Sequence, residues 1–218
     1  THYEHVLWES PSRGTVFEQL IRMGIKKNQT ALSKKLDSVW QKAKSEDAFR
    51  VAKLWMSVLA QAGVRLARLE EAGFPGQTAR LKTILKEAER VSLNPGASLR
   101  LRTAAIEALS RGSELHDGVV LTLAKLIQPT ENPGVRYDAI TAVGNMSQLD
   151  SARMLLGTWP SLQADERVKA LDVLLSRSAW QVELLEALES SRISVNGFSA
   201  VHRDRLLKSR NKPTADRA

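Results

Sequence analysis

RTAAIEAL, residues 102–109, returns twice in related form, as RYDAITAV at 136–143 and RVKALDVL at 167–174. Each copy begins with an arginine, Arg102, Arg136 or Arg167, and places Ala or branched apolar residues at helical spacing behind it. The three arginines are 34 and 31 residues apart. A period of this length predicts stacked helix pairs, in which each pair buries its apolar face on its neighbours. The sequence therefore predicts an all-α protein, an α-solenoid.

The composition agrees with helix packed on helix. The chain has 218 residues, of which 43% are hydrophobic and 5% aromatic, enough to bury a sizeable core. Runs of β-branched residues with two-residue alternation are absent, so we expect no sheet. The chain has no cysteine, which excludes disulfides, thiolate metal sites, thiol catalysis and covalent haem attachment within these residues. No apolar stretch approaches the roughly 20 residues that span a bilayer.

The net charge of +8 raises the question of nucleic-acid binding. The charge is unevenly distributed, with +4 in residues 1–60, +3 in 61–130, −3 in 131–197 and +4 in 198–218. A solenoid that binds a duplex is expected to carry one basic stripe along its whole length, because it follows the phosphate backbone. Here the best-formed repeats are acidic. This distribution favours solvated helix faces with a basic tail.

The sequence divides into three parts. Residues 1–14 contain Pro11 and Gly14 with little periodicity, and are expected to be a tail or linker. Residues 15–197 are expected to form the solenoid, with the clearest repeats at 97–190. Residues 198–218 are expected to add a closing helix and a basic linker toward a following domain. Because the chain begins at Thr1 rather than at Met, we expect a piece of a longer protein.

Cap and turn residues predict where individual helices begin and end. Ser45, followed by two acidic residues, is expected to cap a helix that runs through Leu59. A further helix is expected from Gly63 to Ala72, before a glycine-rich turn. The first clear pair is expected at 98–110 and 115–127. Asn132 followed by Pro133 is expected to cap the next helix.

Four residues are candidates for binding or for contacts between repeats. Arg102, Arg136 and Arg167 would either form a ladder for an acidic partner or hydrogen-bond to carbonyls and acids of adjacent repeats, and their repeated position favours the second interpretation. Trp159, which precedes a proline, is expected to fill the junction between two repeats. The tryptophans that fall on apolar stripes are expected in the core: Trp40, Trp55 and Trp180.

The sequence contains no recognised catalytic motif. A Gly-rich phosphate loop, a nucleophile elbow and a His-Glu-x-x-His helix are all missing. The pair His116–Asp117 lacks the further ligands that a metal phosphohydrolase needs. Asp165 and Glu166 fall in a first helical turn, where the helix dipole explains acidic residues. We therefore expect no catalytic residue, no cofactor site and no metal site in this chain.

The C-terminal half resembles a known family. The matching run is Trp159-Pro160-x-Leu162, Arg167-x-x-Ala170-Leu171, Leu174-Leu175-x-Arg177-x-x-Trp180 and Leu184-Leu185-x-Ala187-Leu188. It is similar to the HEAT-repeat region of large secreted proteins of planctomycetes and their relatives, usually called membrane-bound dehydrogenases or haem-binding-domain proteins. The resemblance continues through Arg203-x-x-Leu206-Leu207 to Arg217-Ala218, where the family's closing Arg-x-Arg-Ala is kept in part. It covers about residues 102–218.

This resemblance implies a place for the chain within a larger oxidoreductase. In that family a β-propeller similar to sugar dehydrogenases comes first, HEAT repeats follow, and a c-type cytochrome domain with a Cys-x-x-Cys-His motif ends the chain. The resemblance therefore implies HEAT-like repeats, a periplasmic or extracellular location, and neighbouring domains as partners. Haem c and a quinone cofactor would belong to those domains. None of the family's catalytic residues corresponds to a position in this chain.

Three functions stay open. The chain is expected to be a non-catalytic spacer between a dehydrogenase and a cytochrome domain. The first alternative is a nucleic-acid-binding solenoid similar to HEAT-like DNA glycosylases, and the second is a general protein-interaction scaffold. The glycosylase needs a catalytic aspartate facing a basic, tryptophan-lined groove. Its candidates lie in the acidic block: Asp138, Asp150 and Asp172.

Overall fold

The computed structural model describes residues 29–194, 197–209 and 211–217. The predicted tail at 1–14 lies outside the described residues. Within them the protein is all-α and solenoid-like, with eleven α-helices and no strand. The helices are α1 (Gln29–Lys42), α2 (Ser45–Gln61), α3 (Gln77–Ser92), α4 (Leu99–Arg111), α5 (Val119–Leu126), α6 (Pro133–Val143), α7 (Leu149–Gly157), α8 (Ala164–Leu174), α9 (Ser178–Glu189), α10 (Ala200–Leu207) and α11 (Lys212–Arg217). The prediction of an all-α solenoid is confirmed.

The chain divides into two compact units between Asp117 and Gly118. Helices α1 to α4 belong to the first unit and α5 to α11 to the second. The helices expected as the first clear pair, at 98–110 and 115–127, are therefore α4 of one unit and α5 of the other. The second of these is also shorter than expected, because residues 113–118 form turns and α5 begins only at Val119.

Helices α2, α3 and α4 form the core of the first unit. Trp55 of α2 is fully buried and meets the edge of Phe74 with ring centroids 5.0 Å apart. Lys53 and Glu46 of α2 contact Glu107 and Arg100 of α4, respectively. The residue order is the same in both pairs, so α2 and α4 run parallel. This is the arrangement that equivalent helices of successive repeats adopt.

The second unit is built from two alternating kinds of helix. We call α4, α6, α8 and α10 the arginine helices, because the fourth residue of each is an arginine and the seventh and eighth residues are apolar. Helices α5, α7, α9 and α11 intervene between or follow them. In this unit α6 packs on α8, while α5 packs on α7, α7 on α9 and α9 on α11. The intervening helices thus form one stack, and α6 and α8 form a second stack, which makes the unit solenoid-like.

Local signals explain where several helices begin. The hydroxyl of Ser98 accepts a hydrogen bond from the Leu101 amide, and Pro133 occupies the first turn of α6. The side chain of Asn132 accepts from the Gly134 amide at 2.9 Å, so the predicted Asn132–Pro133 cap is confirmed. The predicted cap at Ser45 is wrong. That residue is already helical, and the N-cap position belongs to Lys44.

The helix expected from Gly63 to Ala72 is also wrong. Only a 3₁₀ turn at Leu66–Arg68 forms there, followed by further turns. Gly63 and Gly73 both have positive φ, at 74° and 84°, which reverses the chain direction in the way that helix C-termini do. The apolar periodicity still marks core positions, since Leu66 and Leu69 are buried. The segment between the two glycines buries these leucines through turns.

Candidate functional site

Arg102 lies inside the first unit. Its side chain is buried in α4, and Nε donates to the carbonyl of Ser92 at 2.8 Å. Ser92 is the last residue of α3, where backbone carbonyls lack partners within their own helix. The guanidinium therefore caps the end of the preceding helix. This geometry matches a contact within the fold and leaves little of the guanidinium accessible to an acidic partner.

Arg136 makes the corresponding contact in the second unit, but toward the following helix. Nη2 donates to the Ser161 carbonyl at 2.8 Å and to Oε2 of Glu166 at 2.6 Å. The side chains of Arg136 and Glu166 are only 5% and 4% exposed. The same carboxylate accepts from the Gln163 amide at 2.8 Å, which closes a capping box at the start of α8. One carboxylate thus joins a helix cap to the neighbouring arginine helix.

The sequence predicts only a helix-dipole role for Glu166, and this contact with Arg136 is an additional one. The helix dipole explains the position of Asp165, which is exposed. Glu166 is buried, and a buried carboxylate needs a paired charge and hydrogen bonds. A signal was available, because an acid at the third position of a helix is the acidic half of a capping box. Nothing in the sequence, however, assigned Arg136 as its partner.

Arg167 and Trp159 complete the predicted set. Arg167 is half-buried in α8, and its Nε is buried without a hydrogen-bond partner. Trp159 is buried in the 3₁₀ turn that joins α7 to α8. Trp40, Trp55 and Trp180 are buried as expected. The repeated arginines make different contacts, since Arg102 binds the end of α3 whereas Arg136 binds the turn before α8 and Glu166.

Arg203 is a further arginine that begins the repeated pattern of an arginine helix. Arg203 is the fourth residue of α10, as Arg167 is of α8. The sequence signal was present, since Arg203 is followed by Leu206 and Leu207 in the register of the earlier copies. Unlike Arg102 and Arg136, Arg203 is exposed, and the carbonyl of Phe198 lies 3.4 Å from its Nη2.

Acid–arginine pairs join successive intervening helices of the second unit. Arg153 of α7 makes a bidentate contact with Glu183 of α9, with N–O distances of 2.9 to 3.2 Å. Glu189 of α9 accepts from Nη2 of Arg217 in α11 at 2.8 Å. The hydrogen bond from Arg217 lowers the pKa of Glu189 below its ordinary value and raises that of the guanidinium. The Glu183 contact likewise raises the pKa of Arg153.

The other candidate residues, His116, Asp150 and Asp172, each contact a charged side chain. Nε2 of His116 lies 2.9 Å from Oε2 of Glu89, so this histidine contacts α3. Asp150 lies 3.7 Å from Arg153, and Asp172 contacts Arg205 at 2.9 Å. In the described ranges, no group of three or more His, Cys, Asp or Glu could hold a metal ion. None of the helices in those ranges is long and apolar enough to cross a membrane.

An open groove of about 450 Å³ lies on the first unit, between α2 and α4. Its charged side chains already contact one another. Arg50 and Arg100 share Oε1 of Glu46 at 2.8 and 2.6 Å, and Lys53 contacts Glu107 at 2.7 Å. A ligand would have to displace these ion pairs, so the groove has the character of a surface charge network.

The second unit exposes an aromatic and apolar pair on its arginine helices. Tyr137 of α6 and Val168 of α8 each follow the repeated arginine, and they are 42% and 46% exposed. The ammonium of Lys169 lies 5.5 Å from the centroid of the Tyr137 ring. We call Tyr137, Val168 and Lys169 the tyrosine patch. The sequence did not predict this patch, because its charge pattern indicated only solvated helix faces.

Comparison of the chain with models of known protein families, with characterised proteins and with solved structures found no match.

Proposed function

We propose that this chain is a helical scaffold that binds protein partners through the exposed faces of its arginine helices. The observation that carries the proposal is the tyrosine patch. Its two apolar members occupy the same position on two helices that pack together, and Lys169 of the second helix lies over the Tyr137 ring of the first. Tyrosine combines a large apolar ring with a hydroxyl, and it is enriched where proteins bind one another.

The internal contacts support the same proposal. Arg102 and Arg136 bind backbone carbonyls at 2.8 Å, and Arg136 also binds a buried carboxylate. These repeated residues maintain the stacking of helices. The residues on the outer face are then free to differ from repeat to repeat, as Tyr137, Val168 and Asp204 do at one equivalent position. Proteins built from repeats use such variable outer positions for binding.

The resemblance to planctomycete proteins suggests a finer form of this proposal. In that form the scaffold is a non-catalytic spacer, its partners are a β-propeller dehydrogenase domain and a c-type cytochrome domain, and it acts outside the cytoplasm. Reading the gene on both sides of residues 1–218 tests this form. A Cys-x-x-Cys-His motif downstream and propeller strands upstream are expected, and an unrelated context would overturn the finer form alone.

The scaffold proposal is tested by recovering the tagged full chain from its source cells and analysing stoichiometric partners by mass spectrometry. We expect the double variant Tyr137→Ser/Val168→Ser to lose a partner that the unmodified chain retains. Leu121→Ser is the matched control, because Leu121 is 69% exposed but lies on an intervening helix. Equal loss in the control, or no loss in the double variant, would overturn the proposal.

We expect that this chain does not bind nucleic acid. The positive charges of the groove on the first unit contact acids, and the candidate aspartates Asp150 and Asp172 each contact an arginine. A titration of the full chain with duplex DNA at 50 and 200 mM salt should show no tight, salt-sensitive binding.

A further inference from the structure

Two positions of the arginine helices form one stripe. The fourth and eighth residues lie one helical turn apart on the same side of a helix. In α4, α6 and α8 the eighth residue is Ile106, Ile140 and Leu171, and each of these is fully buried. The stripe is therefore a core surface in three of the four arginine helices.

In α10 the same stripe is uncovered. Its fourth residue, Arg203, is exposed, and its eighth residue, Leu207, is 56% exposed. The neighbouring Leu206 is buried, as Ala170 is at the equivalent position of α8. Helix α10 contacts α8 through Arg205 and Asp172, which lie 2.9 Å apart. It differs from the others because, within the described part of the chain, no helix covers Arg203 and Leu207.

Helix α6 shows one way in which such a stripe is covered. Its Arg136 contacts the Ser161 carbonyl, in the turn before α8, and the carboxylate of Glu166, the third residue of α8. Ile140 lies on the same stripe and is fully buried. The cover thus consists of a turn that offers a carbonyl, an acid in the first helical turn, and an apolar helix face.

We propose that the Arg203–Leu207 stripe of α10 is a docking surface for an amphipathic helix of a partner protein that carries a carboxylate in its first turn. The carboxylate binds the Arg203 guanidinium, as Glu166 binds Arg136, and apolar side chains of the partner cover Leu207. This inference rests on the proposed scaffold function and assigns one partner chemistry to it. The positive charge of Arg203 favours a partner helix with an acidic residue in its first turn. The helix dipole also favours an acidic residue at that position.

The probe is a synthetic peptide of residues 158–175 of this chain, which contains the turn and helix that cover Arg136. The full chain, labelled with ¹⁵N, is titrated with this peptide, and amide shifts are followed by NMR. We expect shifts concentrated in residues 200–209. A peptide with Glu166→Gln should bind at least about tenfold more weakly, because it loses a charged hydrogen-bond partner.

Protein variants distinguish this stripe from the rest of α10. We expect Leu207→Ser and Arg203→Gln each to weaken peptide binding at least about tenfold. Val201→Ser is the matched control, since Val201 is 65% exposed but lies on a different side of the helix, and binding should be unchanged. Far-UV circular dichroism confirms that each variant is folded.

Three results would overturn the proposal. These are an absence of shifts in α10, equal binding by the Glu166→Gln peptide, and unchanged binding by both stripe variants. Sedimentation velocity tests whether a second copy of this chain covers the stripe instead. If the chain self-associates and Leu207→Ser converts it to a monomer, the stripe binds a second copy, and the proposal of a partner helix is overturned. None of these results bears on the tyrosine patch, so the scaffold proposal is judged separately by co-purification.

Discussion

The Arg136–Glu166 pair offers the sharpest prediction about stability. Both side chains are at most 5% exposed, and the closest N–O distance is 2.6 Å. Glu166→Gln removes the negative charge but keeps an oxygen that can accept from the Gln163 amide. The substitution therefore isolates the loss of the charge from the loss of the helix cap. Arg136 is left buried without a counter-charge.

Removing one partner of a buried ion pair costs about 3–5 kcal/mol, because the remaining charge has lost its solvation and its partner. Glutamine can still accept a hydrogen bond from the guanidinium, so we expect the lower end, about 3 kcal/mol. This is a large fraction of the roughly 5–15 kcal/mol that stabilises a typical domain. A cap-deleting variant, Glu166→Ala, should lose about 1 kcal/mol more.

Urea unfolding at pH 7, followed by circular dichroism and by the fluorescence of buried tryptophans such as Trp159, measures this free energy. The double variant Arg136→Met/Glu166→Gln removes both charges. We expect it to be destabilised by about 2 kcal/mol less than the sum of the single variants, because it leaves no isolated charge. Asp204→Asn is the control, since its partner Lys208 is exposed, and it should change stability by less than about 0.5 kcal/mol.

The reasoning is refuted if Glu166→Gln is no more destabilising than Asp204→Asn. It is also refuted if the double variant equals the sum of the single variants, since additivity would mean that the two charges do not interact.

Two further predictions concern packing and pH. A Cβ at Gly112 would lie 2.5 Å from the Leu85 methyls, and Leu85 is fully buried. Gly112→Ala should therefore cost about 1–3 kcal/mol in urea unfolding, whereas Gly157→Ala, with open space around its Cβ, should not destabilise. Arg217 holds the pKa of Glu189 below its ordinary value, so this contact stabilises the fold above the unfolded pKa of Glu189 and is lost as pH falls through the folded pKa. NMR titration of the carboxyl should show a midpoint below 4.5 that rises in Arg217→Gln, and an unchanged midpoint in that variant would contradict the assignment.

The repeated arginine phrase predicted the helices well because the information is local. The spacing of Ala139, Ile140 and Val143 behind Arg136 specifies a buried helix face without reference to the rest of the chain. Ser98 and Asn132 are local signals too, because each caps the helix that follows it. Both accept hydrogen bonds from amides two or three residues ahead.

Local sequence patterns predicted the wrong secondary structure between Gly63 and Gly73, and they did not predict α11. The apolar spacing of Leu66 and Leu69 matched a helix, but between the positive-φ glycines Gly63 and Gly73 the chain forms a 3₁₀ turn and further turns. Helix α11 was also missed, because its six residues contain no apolar stripe. Arg217 of α11 binds Glu189 of α9. A local sequence pattern does not predict a contact between residues that lie so far apart along the chain.

The partners of the arginines could not be predicted, because they lie far along the chain and at different offsets. Arg102 contacts a residue ten positions earlier, whereas Arg136 contacts residues 25 and 30 positions later. The repeated phrase specified only the position of the arginine in each helix. Whether Arg203 is covered could not be inferred either, since its exposure depends on which elements of the folded chain pack against α10.

Hydrogen exchange of the full chain, measured by mass spectrometry in the unmodified protein and in Glu166→Gln, tests most directly the claim that the repeated arginines tie successive helices together. The account predicts that the variant lowers protection in residues 133–143 and 164–174 by a similar amount, because the lost charge joins α6 to α8. Loss confined to residues 164–174 would mean that Glu166 serves only its own helix cap, and would contradict the account.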